Sequence, residues 1–237
     1  MTMTDVLNGW RRGLVAAGAL MLLAACDGGD GTGGGNGSAD AAESGSLPTT
    51  VESPGPQATD DQGAATGILV YGSDDAPNTL IEFASWTCGH CGNFYKTVVP
   101  QIKEELVATG KLKLMVVDWS SQNFDVLVSS LARCDGPEKF DDYMKLLFTT
   151  QRVWLNQNAA EELPKVMRQA GMSRAAYDRC IANRSLQTMI VERAQRQRER
   201  FQIEYTPYLV LNGRELKMQP GRSQFEQIKE AVEAASS

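Results

Sequence analysis

The sequence predicts an α/β fold that is interrupted by an inserted helical domain. Two observations lead to this prediction. Apolar runs typical of buried strands occupy parts of residues 68–119 and 208–218, on both sides of the middle of the chain. Over about 123–201, apolar residues instead recur three and four positions apart, which is the spacing of one helix face.

The first part of the fold has a strand–strand–helix–strand order. Residues 68–71 and 79–86 predict two strands, the second of them buried. A helix follows to about Thr109, and Gly110 ends it. Its apolar face consists of residues four positions apart, namely Phe94, Val98, Ile102 and Leu106. Residues 111–119, rich in Leu, Met and Val, predict the third strand.

The last part of the fold returns to strands. Residues 208–211 predict a strand, Asn212-Gly213 a tight hairpin turn, and 215–218 the partner strand. Ser223 is the expected N-cap of a final helix with a regular apolar face. These elements place the whole folded domain within residues 67–237.

Residues 1–25 predict a secretion signal outside the fold. Two arginines precede an apolar run over 14–25, which is too short to span a bilayer as a helix. The run ends Leu23-Ala24-Ala25-Cys26, which resembles the lipobox of bacterial lipoproteins. That resemblance implies a lipid on Cys26, and an ordinary signal peptide cleaved elsewhere is the alternative. The signal predicts export to the bacterial periplasm, which is an oxidising compartment. Asp27, directly after the expected lipidated cysteine, favours attachment to the inner membrane.

Residues 26–66 have the composition of a lipid-anchored, disordered tether. Small and polar residues dominate this segment, which has too little apolar surface to offset the entropy of its chain. It carries seven acidic residues and neither Lys nor Arg, so it is the source of the net charge of -6. Residues 67–237 hold 21 acids and 21 bases, and this neutral balance argues against nucleic-acid binding.

Cys88-Gly89-His90-Cys91 is the motif that indicates chemistry. Two thiols three residues apart can form a disulfide with each other and pass two electrons to or from the cysteines of another protein. The motif stands between a buried strand and a helix, which is the setting of a redox site. It predicts a thiol-disulfide oxidoreductase that uses neither a cofactor nor a metal.

The two cysteines are expected to have different roles. Cys88 falls at the start of the helix, where unpaired N–H groups and the helix dipole lower the pKa of a thiol below about 8.5. Cys88 is therefore the attacking thiol, and Cys91, one helical turn inward, is the buried resolving thiol. His90, the only histidine, would favour the Cys88 thiolate further by its charge or by a hydrogen bond. A passive surface histidine is the alternative.

Glu82 is a further catalytic candidate. It stands in an otherwise apolar strand six residues before Cys88, and it faces the side of the strand opposite Phe83. A buried carboxyl group has a raised pKa and can move protons near neutral pH. A solvent-facing acid on an edge strand is the alternative.

The order of elements resembles that of DsbA-like thiol-disulfide oxidoreductases, in which a helical domain interrupts a thioredoxin fold. The resemblance covers about residues 67–235 and places a proton-relaying acid at the position of Glu82. Its motifs are Glu82-Phe83, the Cys88 to Cys91 dithiol, Val99-Pro100-Gln101, Thr109-Gly110-Lys111, Thr206-Pro207 and Asn212-Gly213. The insertion resembles the lipoprotein-rich branch with an extra cysteine pair, on the spacing of Phe140, Leu147-Phe148, Gln151 and Trp154.

The resemblance also implies residues that bind substrate. Pro207 is expected to be cis and to face the dithiol, so that the backbone of Thr206 can pair with an extended substrate segment like an added strand. Thr206 and Gly89-His90 depart from the commoner DsbA pattern, and these departures indicate a milder oxidant. Trp86 either lines the substrate face or packs in the core.

Cys134 and Cys180 remain once Cys26 is lipidated and the dithiol is set aside. Both lie on predicted helices of the insertion, so a structural disulfide is the first interpretation. A second redox relay is one alternative. A zinc site built from Cys134, Cys180 and the dithiol is the other.

The sequence thus predicts a monomeric, membrane-anchored periplasmic enzyme that oxidises cysteine pairs of exported proteins through a mixed disulfide. A quinone-linked membrane protein is the expected partner that reoxidises the dithiol. A disulfide reductase or isomerase, for example in cytochrome c maturation, is the alternative within the enzyme class. A peptide-binding chaperone that uses the same groove without turnover is the alternative outside it.

Overall fold

The fold is described over residues 46–120 and 122–236 by a computed structural model. The strands are β1 (Leu69–Tyr71), β2 (Asn78–Ala84), β3 (Leu112–Asp118), β4 (Tyr208–Leu211) and β5 (Arg214–Glu215). The helices are α1 (Gly89–Thr97), α2 (Val99–Ile102), α3 (Asn123–Arg133), α4 (Pro137–Thr149), α5 (Gln151–Trp154), α6 (Ala159–Gln169), α7 (Arg174–Ala182), α8 (Arg184–Phe201) and α9 (Gln224–Ala235). A π-helical turn, Lys103–Val107, continues α2.

The strands form one mixed sheet in the order β1-β3-β2-β4-β5. β2 lies at the centre, where it pairs parallel to β3 and antiparallel to β4. Side chains of β2 are covered on both faces of the sheet, which explains why Leu80, Ile81, Phe83 and Ala84 are all apolar. Glu82 is the acidic exception, opposite Val116 of β3 and Leu209 of β4.

Two hydrophobic clusters cover the two faces of the sheet. The larger one joins alternate residues of the strands, including Leu80, Ala84 and Leu209, to α1, α9 and the helical insertion. The smaller one lies on the opposite face, where Ile81 and Phe83 pack against Phe201 at the end of α8. The period of two in β2 therefore places Glu82 on the face of the larger cluster.

The predicted helical insertion is confirmed. The helices from α3 to α8 occupy 123–201 between β3 and β4. Ser173 and Asn183 start α7 and α8 by accepting hydrogen bonds from the N–H groups of Ala176 and Leu186. α8 ends at Gln202, whose left-handed backbone (φ 53°) cannot continue a right-handed helix.

A buried ionic cluster fastens the insertion to the sheet. Asp118, at the end of β3, forms an ion pair with Arg133 of α3, and both side chains are almost fully buried. Arg133 also donates to the carbonyls of Ala65 (3.1 Å) and Gly67 (2.6 Å). Arg193 of α8 donates to the Gly67 carbonyl at 3.1 Å, and burial lowers its pKa to about 9. A cluster with two guanidinium groups and one carboxylate thus needs the backbone carbonyls of 65–67 as additional acceptors.

The long helix predicted after the dithiol is broken at Val98. α1 ends there, and α2 restarts with Pro100 in its first turn. Proline has no N–H to donate to the carbonyl four residues earlier, and its ring collides with that carbonyl in a continuous helix. The predicted element is therefore present but divided.

The hairpin after β4 has the predicted turn and a shorter second strand. Asn212 and Gly213 both have positive φ values, 49° and 77°, which the Asn-Gly pair accommodates. β5 comprises Arg214–Glu215 instead of 215–218. The chain turns away because Gln219 is held by α9, where the side chain of Gln227 accepts its N–H at 2.7 Å.

The end of the predicted tether packs onto the domain, so the tether does not extend to residue 66. Leu47 N–H donates to the Gly213 carbonyl at 2.8 Å, and Val51 is buried against the smaller cluster. Ala64 and Ala65 are fully buried. Because both side chains are small, the backbone of this segment can pack closely enough for its carbonyls to accept hydrogen bonds from the buried arginines. The expected signal peptide, Cys26 and the tether up to residue 45 lie outside the described residues.

Candidate active site

The dithiol is placed where β2 passes into α1. Cys88 is the N-cap residue of α1, with an extended backbone (φ -82°, ψ 115°). Its side chain is partly exposed, whereas Cys91 in the first turn of α1 is fully buried. One thiol is therefore open to a partner and the other is covered.

Hydrogen bonds stabilise negative charge on Cys88. Donation from the Cys91 thiol, together with Thr206 and the backbone N–H groups of Cys91 and His90, outweighs partial burial and lowers the pKa of Cys88 to about 5. At neutral pH the exposed sulfur is a thiolate. This confirms the physical expectation for a cysteine at the start of a helix.

Cys91 has the opposite electrostatic behaviour. Burial, and then its hydrogen bond to the Cys88 sulfur, raise the pKa of Cys91. This thiol therefore keeps its proton while Cys88 carries the charge. The two thiols therefore differ in pKa in the way that an attacking and a resolving cysteine require: the attacking thiol ionises readily and the resolving thiol does not.

His90 is exposed. Its backbone N–H contributes to the low pKa of Cys88. The structure thus places His90 beside the reactive sulfur, and the role that the sequence predicts for its imidazole stays a prediction.

Glu82 is a fully buried acid, and its strand is at the centre of the sheet, so the edge-strand alternative is wrong. Among residues 46–120 and 122–236, neither of its carboxyl oxygens has a hydrogen-bond partner. Burial raises the pKa of Glu82 to about 8. Its charge also raises the pKa of Cys91, which places the two groups within electrostatic range of each other. Glu82 can therefore exchange a proton near neutral pH.

The Thr206–Pro207 peptide bond is cis, as expected. It lies directly before β4, and both residues are partly exposed. The carbonyl oxygen of Thr206 lies 3.2 Å from the Cys88 sulfur and accepts a hydrogen bond from it when Cys88 is protonated. The reactive sulfur is therefore adjacent to an accessible stretch of backbone.

Trp86 packs in the core, and its assignment to the substrate face is wrong. The side chain is fully buried and stacks on Phe148, with ring centroids 4.7 Å apart and planes 12° apart. Phe148 in turn stacks on Tyr95 of α1. The cause is the helical insertion, because α4 brings Phe148 over the loop that carries Trp86.

Two polar residues of the insertion contact the same loop from either side. Asp125 of α3 accepts hydrogen bonds from the Thr87 N–H (2.9 Å) and the Ser85 hydroxyl (3.0 Å). Gln151 of α5 donates to the carbonyl of Trp86 at 2.7 Å and to that of Cys88 at 2.9 Å. Sequence reasoning missed Asp125 altogether, and it noted Gln151 only as part of a family spacing. No local pattern signals these contacts, because they join positions 38 to 65 residues apart along the chain.

Cys134 and Cys180 form the expected disulfide, which joins the end of α3 to α7. Asp135 lies near both sulfur atoms, at distances that suit a metal site. The two sulfurs are bonded to each other, however, so they are not available as thiolate ligands, and the zinc alternative is wrong.

Removal of this disulfide is expected to lower stability and spare the chemistry. A variant with Cys134→Ala and Cys180→Ala should lose up to about 4 kcal/mol of unfolding free energy, because the bond closes a loop with a sequence separation of 46. Urea unfolding measures this loss. Thiol-disulfide exchange by Cys88 at 20 °C should stay close to the unchanged protein; an abolished exchange would instead indicate a second redox relay.

Within the described ranges, 46–120 and 122–236, the helices are all too short or too polar to cross a bilayer.

Comparisons with known proteins agree with this geometry. The family model described as Thioredoxin matches residues 64–234. A protein-disulfide oxidoreductase of Rickettsia conorii is 25% identical over 169 residues, which make up 70% of this chain and 60% of that protein. The chain thus spans about 60% of the length of this relative. Disulfide bond formation protein D of Bacillus subtilis is 24% identical over 189 residues, covering 76% of this chain and 82% of that one.

A solved structure shows the same arrangement of sheet and insertion. The crystal structure of Wolbachia pipientis alpha-DsbA1 superposes with a TM-score of 0.60 at 21% identity, over 71% of this chain and 90% of that one. The predicted thioredoxin fold with an inserted helical domain is confirmed. The chain belongs to the thioredoxin family, and its fold is like that of the DsbA1 structure.

Proposed function

We propose that this chain is a periplasmic thiol-disulfide oxidoreductase that oxidises cysteine pairs of exported proteins. The observation that carries the proposal is the asymmetric dithiol. Cys88 is partly exposed and has a pKa lowered to about 5, whereas Cys91 is buried and has a raised pKa. The relatives named as disulfide oxidoreductases and as a disulfide bond formation protein support the same chemistry.

The reaction begins with the Cys88–Cys91 disulfide. A substrate thiolate attacks the Cys88 sulfur, a new substrate–Cys88 disulfide forms, and the bond to Cys91 breaks. Cys91 leaves with the electron pair and takes up a proton, because its raised pKa disfavours the buried thiolate. Glu82, neutral near pH 7, is the group on this side of the sheet that can supply the proton.

The second step releases the oxidised substrate. The second thiolate of the substrate attacks the substrate sulfur of the mixed disulfide, and Cys88 leaves as a thiolate. A leaving group with a low pKa departs readily, and its stable thiolate favours the reduced protein over the disulfide. This bias makes the pair an oxidant of other thiols. The partly exposed backbone at Thr206 and Pro207, beside the Cys88 sulfur, supports docking of an extended substrate there.

The cellular setting is part of the proposal. A lipid on Cys26 would hold the protein at the inner membrane of a bacterium, and residues up to 45 would serve as the tether. The two electrons taken from each substrate would pass to a quinone-linked membrane protein, which restores the Cys88–Cys91 disulfide. The protein would act as a monomer.

The direction of electron flow is tested by equilibration of the dithiol with glutathione. We expect a reduction potential between about -120 and -200 mV, together with catalysed oxidation of a reduced, unfolded protein such as ribonuclease. A potential near that of thioredoxin, about -270 mV, would contradict the oxidase and favour the reductase. Because Thr206 and Gly89-His90 depart from the commoner DsbA pattern, we expect a potential toward the less oxidising end of this range.

A further inference from the structure

We propose that Gln151 is a positioning residue through which the helical insertion controls the reactivity of Cys88. The inference deepens the proposed function and rests on it, since it takes Cys88 to be the attacking thiol. The contacts that carry it join α5 to the loop between β2 and α1. They are made to backbone carbonyls of this loop, and not to the thiol groups or to the cis-proline loop.

The side-chain amide of Gln151 holds the backbone on both sides of Thr87. Its Nε2 donates to the Trp86 carbonyl at 2.7 Å and to the Cys88 carbonyl at 2.9 Å. The Cys88 carbonyl is also the first acceptor of α1, since it receives the Gly92 N–H at 3.1 Å. A single amide thus fixes the orientation of the peptide group that follows the reactive cysteine.

Gln151 is itself held firmly. Only 7% of Gln151 is exposed to solvent. Its helix, α5, is anchored by Trp154, which is fully buried. The indole N–H of Trp154 donates to the Leu147 carbonyl at 2.8 Å, inside the insertion. The amide therefore transmits the position of α4 and α5 to the active-site loop.

Gly92 makes room for this contact. A Cβ atom built at Gly92 would lie 2.3 Å from Oε1 of Gln151 and 2.9 Å from its Cδ. A methyl group here would displace the flexible amide, while the helical backbone of α1 accepts alanine readily. The contact of Gln151 therefore depends on glycine at position 92, although the helical backbone at that position does not itself require glycine.

The link to reactivity is electrostatic and geometric. The Cys88 sulfur is stabilised by the N–H groups of His90 and Cys91, which face it only while Cys88 keeps its extended N-cap conformation. The Cys88 carbonyl belongs to the same residue as the thiolate, and the Gln151 donor on its oxygen reduces the repulsion between that oxygen and the thiolate charge. Loss of the amide should therefore destabilise the thiolate.

The test compares Gln151→Met with Gln227→Met. Gln227 is a matched control, because it is equally exposed at 7% and its Nε2 also donates to backbone carbonyls, those of Gln219, Arg222 and Ser223, far along the chain from the dithiol. The readouts are the pKa of Cys88, from thiolate absorbance at 240 nm, and the equilibrium of the dithiol with glutathione. Both need only the Cys88–Cys91 pair, so they remain informative even if the protein fails to oxidise exported substrates.

We expect Gln151→Met to raise the pKa of Cys88 by about one unit and to shift the glutathione equilibrium at pH 7 by up to about tenfold toward the disulfide form. Gln227→Met should lower the melting temperature and leave both readouts unchanged. Gly92→Ala should reproduce the changes of Gln151→Met, and it decides the question if Gln151→Met does not fold. A pKa and equilibrium equal to those of the unchanged protein in Gln151→Met, or in Gly92→Ala, would overturn the inference.

Discussion

Replacement of Cys88 by serine should abolish thiol-disulfide exchange. A serine hydroxyl forms no disulfide and is not ionised at neutral pH, whereas the Cys88 sulfur is a thiolate with a pKa of about 5. We expect the rate of oxidation of a reduced protein substrate to fall by at least about three orders of magnitude. The measurement is a refolding assay that follows disulfide formation in the substrate, with glutathione disulfide as the oxidant.

Cys91→Ser is the matched control for this variant. It retains the attacking thiolate, which can break a disulfide of an oxidised substrate and form a mixed disulfide, releasing the other substrate sulfur as a thiolate. Because the buried resolving thiol is absent, these mixed disulfides should accumulate and be visible on non-reducing gels. Cys88→Ser should form none. If Cys88→Ser bound and refolded substrates as well as the unchanged protein, the chain would be a peptide-binding chaperone and not an oxidoreductase.

Replacement of Glu82 by leucine should remove a large pH dependence of stability. The folded-state pKa of Glu82, about 8, lies above its ordinary value of 4.5 because the carboxyl group is fully buried. Its contribution to folding is therefore fully present below about pH 4.5 and is lost as the pH rises toward 8. From pH 5 to pH 8, the unchanged protein should lose on the order of 3 kcal/mol of unfolding free energy through this group.

The disulfide form is the appropriate sample for this measurement, because Cys88 and Cys91 then do not titrate. Urea unfolding at pH 5 and pH 8 should show a clear loss for the unchanged protein and a much smaller one for Glu82→Leu. At pH 8 the leucine variant should be the more stable of the two, since no carboxylate has to be buried. Parallel pH profiles for the two proteins would show that Glu82 is not desolvated in the folded state.

Local patterns in the sequence were sufficient for the dithiol and for the burial of Glu82, whereas the cis bond before Pro207 was implied by the family resemblance. The first two are each determined by a short segment: a strand followed by a helix start, or an acid in a mainly apolar strand. Trp86 could not be assigned in this way, because its surroundings depend on α4, more than fifty positions along the chain. The insertion brings Phe148 over it, and no nearby residue predicts that contact.

The contacts of Asp125 and Gln151 have the same origin. The two residues are 26 positions apart and belong to different helices, and they meet the loop only after the insertion has folded onto the sheet. The start of the domain was misplaced for a related reason. Residues 46–66 are too polar to predict a core, but their backbone supplies acceptors to Arg133 and Arg193. Hydrogen bonds from buried arginines to backbone carbonyls require no regular spacing of apolar residues, so this packing could not be predicted from the sequence.

The contact between Leu47 and Gly213 determines how the reactive face is presented. Gly213 follows the end of β4, beside the start of β2, whereas Cys88 and Thr206 lie at the opposite ends of these two strands. With about 3.3 Å per residue, the length of β2 separates the two poles by roughly 20 Å. Anything attached ahead of residue 46, whether a lipid, a resin or a fusion partner, therefore holds the domain by the pole remote from the dithiol. Cys88 then lies on the side of the domain opposite that attachment, so its partly exposed thiol stays accessible when the protein is anchored or immobilised.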